Sequence, residues 1–382
     1  MIPYFTVSGT YYQVGKQIGK KFRELIVDYY GVDEDFKDVV FPFIQTKAGE
    51  KVYMDYLNNV ETLYPQYVSE MQGLADGAGL TFKQVFTMHL SREIRIGVAV
   101  KQEWGCSDLF INYPKTGQVA LGHNEDIDPM VKTRAYVVNV TIYDSEDTYE
   151  PRRVIEQFTA YTYPGHLPGS AFSFSAAGMV FNCNGLPPEL ICYDKIPRYI
   201  LNRAMITAQS REEFEATLQC QGVGSGYGFS VNVVQMNKDE SVLMWNYEIA
   251  PVRNSPSTLM HRISIGADGD TSTHRSGYYF HCNRYQHMTV PEIKPLTWSS
   301  KGRLTRFSEL PAPKTIEDMM KVLEDETNEK YPIFRTPRPT DRNGTVAVAI
   351  YDFINKQLDI YEDKPSRCKP DLTLSLPDGK RI

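Results

Sequence analysis

Residues 105–126 read Gly105-Cys106-Ser107-Asp108-Leu109-Phe110-Ile111-Asn112-Tyr113-Pro114-Lys115-Thr116-Gly117-Gln118-Val119-Ala120-Leu121-Gly122-His123-Asn124-Glu125-Asp126. Two strand-like runs, 107–112 and 118–124, flank the turn cluster from Tyr113 to Gly117, so the stretch reads as a β-hairpin. A cysteine stands at the mouth of the first strand and an acid follows the second. A nucleophile and an acid so placed can face each other across the hairpin. The residue before the cysteine is glycine, which tolerates strained geometry and lets a thiol reach its carbonyl. Taken alone, the cysteine also reads as a small buried hydrophobe, and Gly-x-Asn-x-Asp as a solvated strand end.

The texture of the chain changes at Trp104, just before this hairpin. Upstream, helical spacing dominates. It places Val14, Ile18, Phe22, Leu25 and Ile26 on one face of a helix over 11–30, within which Gly15 and Gly19 imply close helix packing. A second helix is expected over 51–75, ended by Asp76-Gly77-Ala78-Gly79. Thr81 reads as the N-cap of a third over 83–90. Downstream, strands are expected at 134–143, 152–163, 170–175, 179–183, 229–236, 242–249, 345–351 and 357–361, with helices at 197–208, 211–220 and 315–324. Pro365 and Pro370 mark an irregular tail. Helices first, then antiparallel strands with helices between them, predict an α+β chain of sheets covered by helices.

Composition narrows the function. Net charge −6 without a basic stripe argues against a nucleic-acid footprint. No apolar run approaches the length of a membrane span, and 1–7 lacks the pattern of a secretory signal. The end Lys380-Arg381-Ile382 only distantly resembles a peroxisomal address, so a cytoplasmic protein is expected. The six cysteines, Cys106, Cys183, Cys192, Cys220, Cys282 and Cys368, form no C-x-x-C pair and no zinc-ligand spacing with histidine, which disfavours a disulfide scaffold or a structural metal. The run Gly222 to Gly228 lacks the Gly-Lys-Ser/Thr ending of a phosphate loop and reads as a helix-to-strand connection.

Gly-Cys-Ser followed by Gly-His-Asn-Glu-Asp resembles the isopenicillin N acyltransferase-like family (peptidase C45) of N-terminal-nucleophile (Ntn) hydrolases, and more distantly the penicillin V acylase and bile salt hydrolase group. Gly9-Thr10-Tyr11-Tyr12-Gln13-Val14-Gly15, Glu70 to Ala78 and Gly178-Met179-Val180-Phe181-Asn182-Cys183-Asn184 extend the resemblance through most of the chain. Tyr163-Pro164-Gly165-His166-Leu167-Pro168-Gly169 and Tyr331-Pro332-Ile333-Phe334-Arg335 resemble the Tan-like branch, whose members hydrolyse β-alanyl-dopamine and carcinine.

The resemblance implies a four-layer α/β/β/α sandwich of two antiparallel sheets in one domain, 1–382. It implies autocatalytic cleavage between Gly105 and Cys106 into an α fragment, 1–105, and a β fragment, 106–382. The Cys106 thiol would attack the Gly105 carbonyl, and the freed α-amine, with an ordinary pKa of about 7.7–8, would serve as base. Asp126 matches the acid that positions amine and thiol, and Asn124 a residue that orders the hairpin. Asn182 and Asn283 match the oxyanion donors, each of which typically contributes about 10²–10³-fold in rate. Arg303 resembles a supporting arginine, with Arg306 as the competing choice. His123 stands where the bile salt hydrolases have arginine. No metal or organic cofactor is implied. The expected partners are a small-molecule amide substrate and the two fragments themselves, with room for a homodimer of αβ units. For a β-alanyl substrate, Glu125 and Asp128 are carboxylate candidates for the ammonium, and His166, Tyr163, Tyr161, Phe172 and Phe174 are candidates to border the pocket. Two alternatives stay open: an acyltransferase in which an amine replaces water, and a binding homologue that does not cleave itself; a metal-dependent amidohydrolase is disfavoured because no His-x-His or Asp/His cluster is visible.

Overall fold

The computed structural model describes residues 1–98, 105–145, 152–254, 258–338 and 342–377; Trp104 and the tail 380–382 lie outside them. The chain opens on β1 (Tyr4–Gly9), a strand the sequence pattern did not suggest. Helices α1 (Tyr11–Lys21), α2 (Arg23–Val32), α3 (Phe41–Ile44), α4 (Lys47–Leu63), α5 (Pro65–Ala78), α6 (Phe82–His89) and α7 (Ser91–Val98) follow. The expected helix over 51–75 breaks at Tyr64, because Pro65 has no N–H to continue the ladder and disfavours helical geometry in the residue before it. The helix over 11–30 breaks at Phe22, whose ring turns in to stack on Tyr136 at 3.8 Å between centroids. Thr81 caps α6, accepting from the Gln84 N–H, as the sequence predicts.

Next come β2 (Ser107–Tyr113), β3 (Gln118–Ile127), β4 (Tyr136–Tyr143), β5 (Val154–Thr162), β6 (Phe172–Ser175), β7 (Met179–Gly185), α8 (Arg198–Met205) and α9 (Arg211–Gln219). The chain ends with β8 (Phe229–Met236), β9 (Val242–Ala250), β10 (Leu259–Gly266), β11 (Arg275–Ser276), β12 (Tyr278–His281), α10 (Trp298–Glu309), α11 (Ile316–Leu323), β13 (Gly344–Asp352), β14 (Gln357–Tyr361) and β15 (Leu372–Ser375). The Gly-rich run 222–228 joins α9 to β8. No described helix is long and apolar enough to cross a membrane.

The strands form a nine-stranded sheet, β1-β4-β5-β6-β7-β8-β9-β10-β11, and a six-stranded sheet, β12-β2-β3-β13-β14-β15. Pairing is antiparallel except at the two ends of the larger sheet, where β1 runs parallel to β4 and β11 parallel to β10. Alternation along a strand sends successive side chains to opposite faces. On β2, Leu109 and Ile111 pack with Met319, Val322 and Leu323 of α11, while Phe110 joins the main core. On the larger sheet, Phe181 stacks on Phe214 of α9, whereas Phe172 contacts His123 of the other sheet. Two sheets thus lie face to face between outer helical layers.

Two contacts bind the helical part, one within it and one to the strand-rich part. Gly15 and Gly19 of α1 meet Gly73 and Gly77 of α5 so closely that a Cβ on Gly73 would lie 2.1 Å from the Tyr12 carbonyl oxygen. Buried Arg203 of α8 bridges Glu70 of α5 at 3.0 Å and Glu156 of β5 at 2.6 Å. Backbone cannot yield as a side chain can, so Gly73→Ala should destabilise the protein by about 3 kcal/mol, read as a lowered denaturation midpoint. An unchanged midpoint would show that the two helices are not pressed together.

Candidate active site

The β2–β3 hairpin pairs Ser107 with Asn124 and Asp108 with His123. Continuing that register by one residue sets Cys106 opposite Glu125 and Gly105 opposite Asp126. Residues two apart share a face, so Cys106, Asp108, His123 and Glu125 all project into the gap between the sheets. The contacts agree. The Cys106 Sγ donates to Glu125 Oε1 at 3.7 Å. The His123 ring spans Asp108 at 2.7 Å through Nδ1 and Glu125 at 3.0 Å through Nε2. Tyr163, beyond β5, donates its hydroxyl to Glu125, and Asn184 of β7 donates its amide to Asp108.

Burial works against charge on His123, but the Asp108 carboxylate and the hydrogen bonds to Asp108, Cys106 and Glu125 hold its pKa well above the ordinary value. Both ring nitrogens then donate, as an imidazolium does. Burial, reinforced by Glu125, pushes the Cys106 thiol up to about 11, against the pull of His123. The Cys106 thiol is therefore protonated near neutral pH and would need a base to become a thiolate.

The opposite face of the hairpin carries cations. Arg303 of α10 donates to the Cys106 carbonyl at 2.5 Å, to Ser107 Oγ at 2.9 Å and to Asn283 Oδ1 at 2.7 Å. A Cβ on Gly105 would meet a guanidinium nitrogen of Arg303 and one of Arg335, each at 2.5 Å. A side chain at position 105 would therefore have to displace one or both guanidinium groups. Asp126 accepts from Thr345 at 2.6 Å; burial raises its pKa to about 7, against the lowering pull of Arg335 and Arg303. Asn124 ties the hairpin to the α11 region through the Leu323 and Ile333 carbonyls.

A cavity opens onto Cys106, lined also by Gly105, Glu125, Asp126, Tyr163 and Asn283. Asn283 donates its Nδ2 to the Gly185 carbonyl at the same wall, at 3.1 Å. Arg92, Arg198, Tyr199 and Tyr227 complete the far side. The sequence offered no signal for these four, which converge from distant segments.

Other candidates lie elsewhere. Asn182 faces the gap between the sheets, does not line the cavity, and its amide makes no hydrogen bond. Asp128 caps the turn Pro129–Val131, accepting from the Met130 N–H, and does not reach the cavity. Arg306 pairs with Asp325 at 2.8 Å, so of the two arginines only Arg303 touches the cysteine. His166 packs among Tyr29, His89, Tyr163 and Tyr199 behind the wall, where burial and His89 hold its pKa well below the ordinary value. Tyr161 stacks on Phe172, and with Phe174 they belong to the core. Arg335 was in plain view at the end of the Tyr331 motif, but nothing in the sequence pointed it at Gly105.

The pKa of Asp126 predicts a pH effect. A carboxyl whose folded pKa is about 7, raised from 3.8 by burial, favours folding when protonated and loses that contribution as pH rises from about 4 to 7. On a Cys106→Ala background, Asp126→Asn should gain stability over its parent as pH rises, by at most about 4 kcal/mol at pH 8, and converge with it near pH 4. A gap in melting temperature that does not change with pH would contradict the buried, mostly protonated carboxyl.

Known proteins resemble this chain at three levels. A beta-alanyl-dopamine/carcinine hydrolase of Drosophila melanogaster is 26% identical over 385 aligned positions, covering 98% of this chain and 96% of its own. A solved structure of a mutant conjugated bile acid hydrolase from Clostridium perfringens overlaps with a TM-score of 0.36 at 9% identity, covering 67% of this chain and 89% of its own. The sequence profile of acyl-coenzyme A:6-aminopenicillanic acid acyl-transferase matches residues 114–367, more than half of the chain, and the protein belongs to that family.

Proposed function

We propose that this protein is a self-processing cysteine hydrolase of linear amides, acting on N-β-alanyl amines such as β-alanyl-dopamine and carcinine. One observation carries the reading: the Cys106 thiol points at a carboxyl group 3.7 Å away while its own amide nitrogen is bonded to Gly105, the residue pressed against two guanidinium groups.

In self-cleavage, Sγ of Cys106 attacks the Gly105 carbonyl carbon and the thiol proton passes to Glu125. The C–N bond breaks, the α-amine of Cys106 takes up a proton, and the acyl group of Gly105 rests on sulfur as a thioester. Water then hydrolyses the thioester, leaving fragments 1–105 and 106–382. The freed amine, with an ordinary pKa of about 8, acts as base for the same thiol in turnover, a nucleophile and base within one residue. Arg303 fixes the Cys106 carbonyl and, through Asn283 Oδ1, turns the Asn283 amide N–H toward the cavity. There it can donate to the oxyanion of the acyl intermediate.

The cavity suits the substrate class. A β-alanyl group carries its ammonium two methylenes beyond the carbonyl that sulfur attacks, within reach of Glu125. Tyr163, Tyr199 and Tyr227 offer walls for the ring of the amine. Arg198, whose Nε makes no hydrogen bond, is a donor for a ring hydroxyl or imidazole nitrogen. The similarity to the Drosophila hydrolase supports this choice of acyl group.

Intact-mass analysis of purified protein should show two fragments, one beginning at Cys106, and one uncut chain for Cys106→Ala. The mature form should release β-alanine from carcinine, with no acyl transfer when a second amine is supplied. A wild-type chain that stays whole on long incubation would exclude the mechanism and favour a binding protein. Glu125→Gln should slow self-cleavage by about 10²–10⁴-fold, the usual contribution of a general base. Cleavage at the parent's rate would remove Glu125 from that role.

A further inference from the structure

The same gap between the sheets holds a ligand set that no spacing in the sequence announces. Cys106 Sγ, His123 Nε2 and a Glu125 carboxyl oxygen all lie within 4.8 Å of one another, and all three residues are buried. Among the described residues no other group of three such side chains converges in this way. Cys106 and Glu125 line the cavity, so an ion has a path to them. The Sγ–Oε1 and Nε2–Oε2 separations are 3.7 and 3.0 Å. Bonds of about 2.3 Å to sulfur and 2.0–2.2 Å to nitrogen and oxygen at tetrahedral angles put ligand atoms some 3.3–3.6 Å apart, so the three atoms, now within 4.8 Å of one another, would draw together around an ion.

The surroundings of the histidine add a second, independent argument. A metal-bound imidazole typically donates its other N–H to a carboxylate, which is itself held by a hydrogen bond. His123 does this through Nδ1 to Asp108 at 2.7 Å, and Asp108 in turn accepts from the Asn184 amide. The other ring nitrogen, Nε2, is thereby aimed at the Glu125 carboxyl and the thiol. Thiolate, imidazole and carboxylate together are a donor set for zinc rather than for magnesium or calcium.

We propose that Cys106, His123 and Glu125 form a binding site for a thiophilic divalent cation, zinc above all, which occupies the nucleophile and reversibly blocks the site. As the ion enters, the thiol and His123 Nε2 each release a proton to solvent, and three bonds form: to sulfur, to nitrogen and to carboxylate oxygen. A fourth position faces the cavity. In a chain that begins at Cys106, the freed α-amine lies one chelate ring away from that sulfur and can fill it. The three ligands converge in the single chain, so binding of the ion stands apart from the hydrolase reading, and only the block of turnover rests on it.

Cobalt(II) is the probe, because a thiolate–cobalt bond gives a charge-transfer band in the near ultraviolet. Titration of the full chain should give one equivalent bound with that band, displaced by zinc. The band should disappear in Cys106→Ser and in His123→Gln and persist in Cys368→Ala, which removes an exposed thiol. Asp108→Asn should keep the band but weaken binding by about 10–100-fold, as loss of a ligand's supporting carboxylate does. Zinc should raise the melting temperature of the wild type and not that of Cys106→Ser, which guards against variants that merely misfold. No band, or a band that survives both Cys106→Ser and His123→Gln, would overturn the proposal. A protein that never cuts itself yet shows the band would refute only the processing mechanism. One that cuts itself and binds no cobalt would refute only the cation site.

Discussion

The register of β2 on β3 is the constraint on which the site depends. With Ser107 opposite Asn124, every second residue of the hairpin faces the other sheet, and the residues between face the outer helices. A slip of one residue would exchange the two sets. For β3 it would turn His123 and Glu125 away from Asp108 and Cys106 and bring Asn124 and Asp126 to their face. As built, Gly105 and Cys106 stand between two unlike environments: thiol, imidazole and carboxyl groups on one side, two guanidinium groups on the other. Unpaired charge in such a place would be prohibitive. Here Asp108 faces His123 and Asp126 lies beside Arg303 and Arg335. The same crowding means that a side chain on residue 105 would have to push these guanidinium groups aside.

The parts of the chain on either side of the Gly105–Cys106 bond are held together by contacts that do not run through it. The helical part before Gly105 is fastened to the remainder by buried contacts rather than by chain connectivity alone. Arg203 holds Glu70. The β1 strand pairs with β4 along its whole length. The His89 ring donates from Nδ1 to the Val85 carbonyl at 2.8 Å and accepts at Nε2 from the Leu167 N–H at 2.8 Å. Burial keeps that ring neutral, its pKa lowered to about 4, which a ring that must accept a hydrogen bond requires. It also fixes the loop that carries Tyr163 and His166. Local chemistry at the site and long-range packing thus serve the same end.

The hairpin, its cysteine and the flanking glycine were readable because they are local: a turn cluster between two alternating runs. The strands that follow were readable for the same reason; β8 and β14 fall where the alternation places them. What depends on register or on distant segments was not. Asp126 lines the same cavity as Cys106, but the contact to the thiol is made by Glu125, which the pleat sets opposite it. His123 looked like a departure from a family arginine, and its pairing with Asp108 exists only across the strands. Asp128, near in sequence, proved to be a turn cap. β1 escaped notice because it is a short edge strand whose partner lies far along the chain. Asn182 shared a motif with Asn184, yet neither lines the cavity and only Asn184 is tied to Asp108, the partner of His123.

The central claim is that Cys106 carries the acyl group during turnover. Its most direct test is to quench the mature protein during hydrolysis of carcinine and map the acyl adduct by mass spectrometry of its peptides. The account predicts one β-alanyl group on the sulfur of a peptide that begins at Cys106, absent when substrate is exhausted. An adduct on another residue, or steady turnover with no adduct on Cys106, would contradict it.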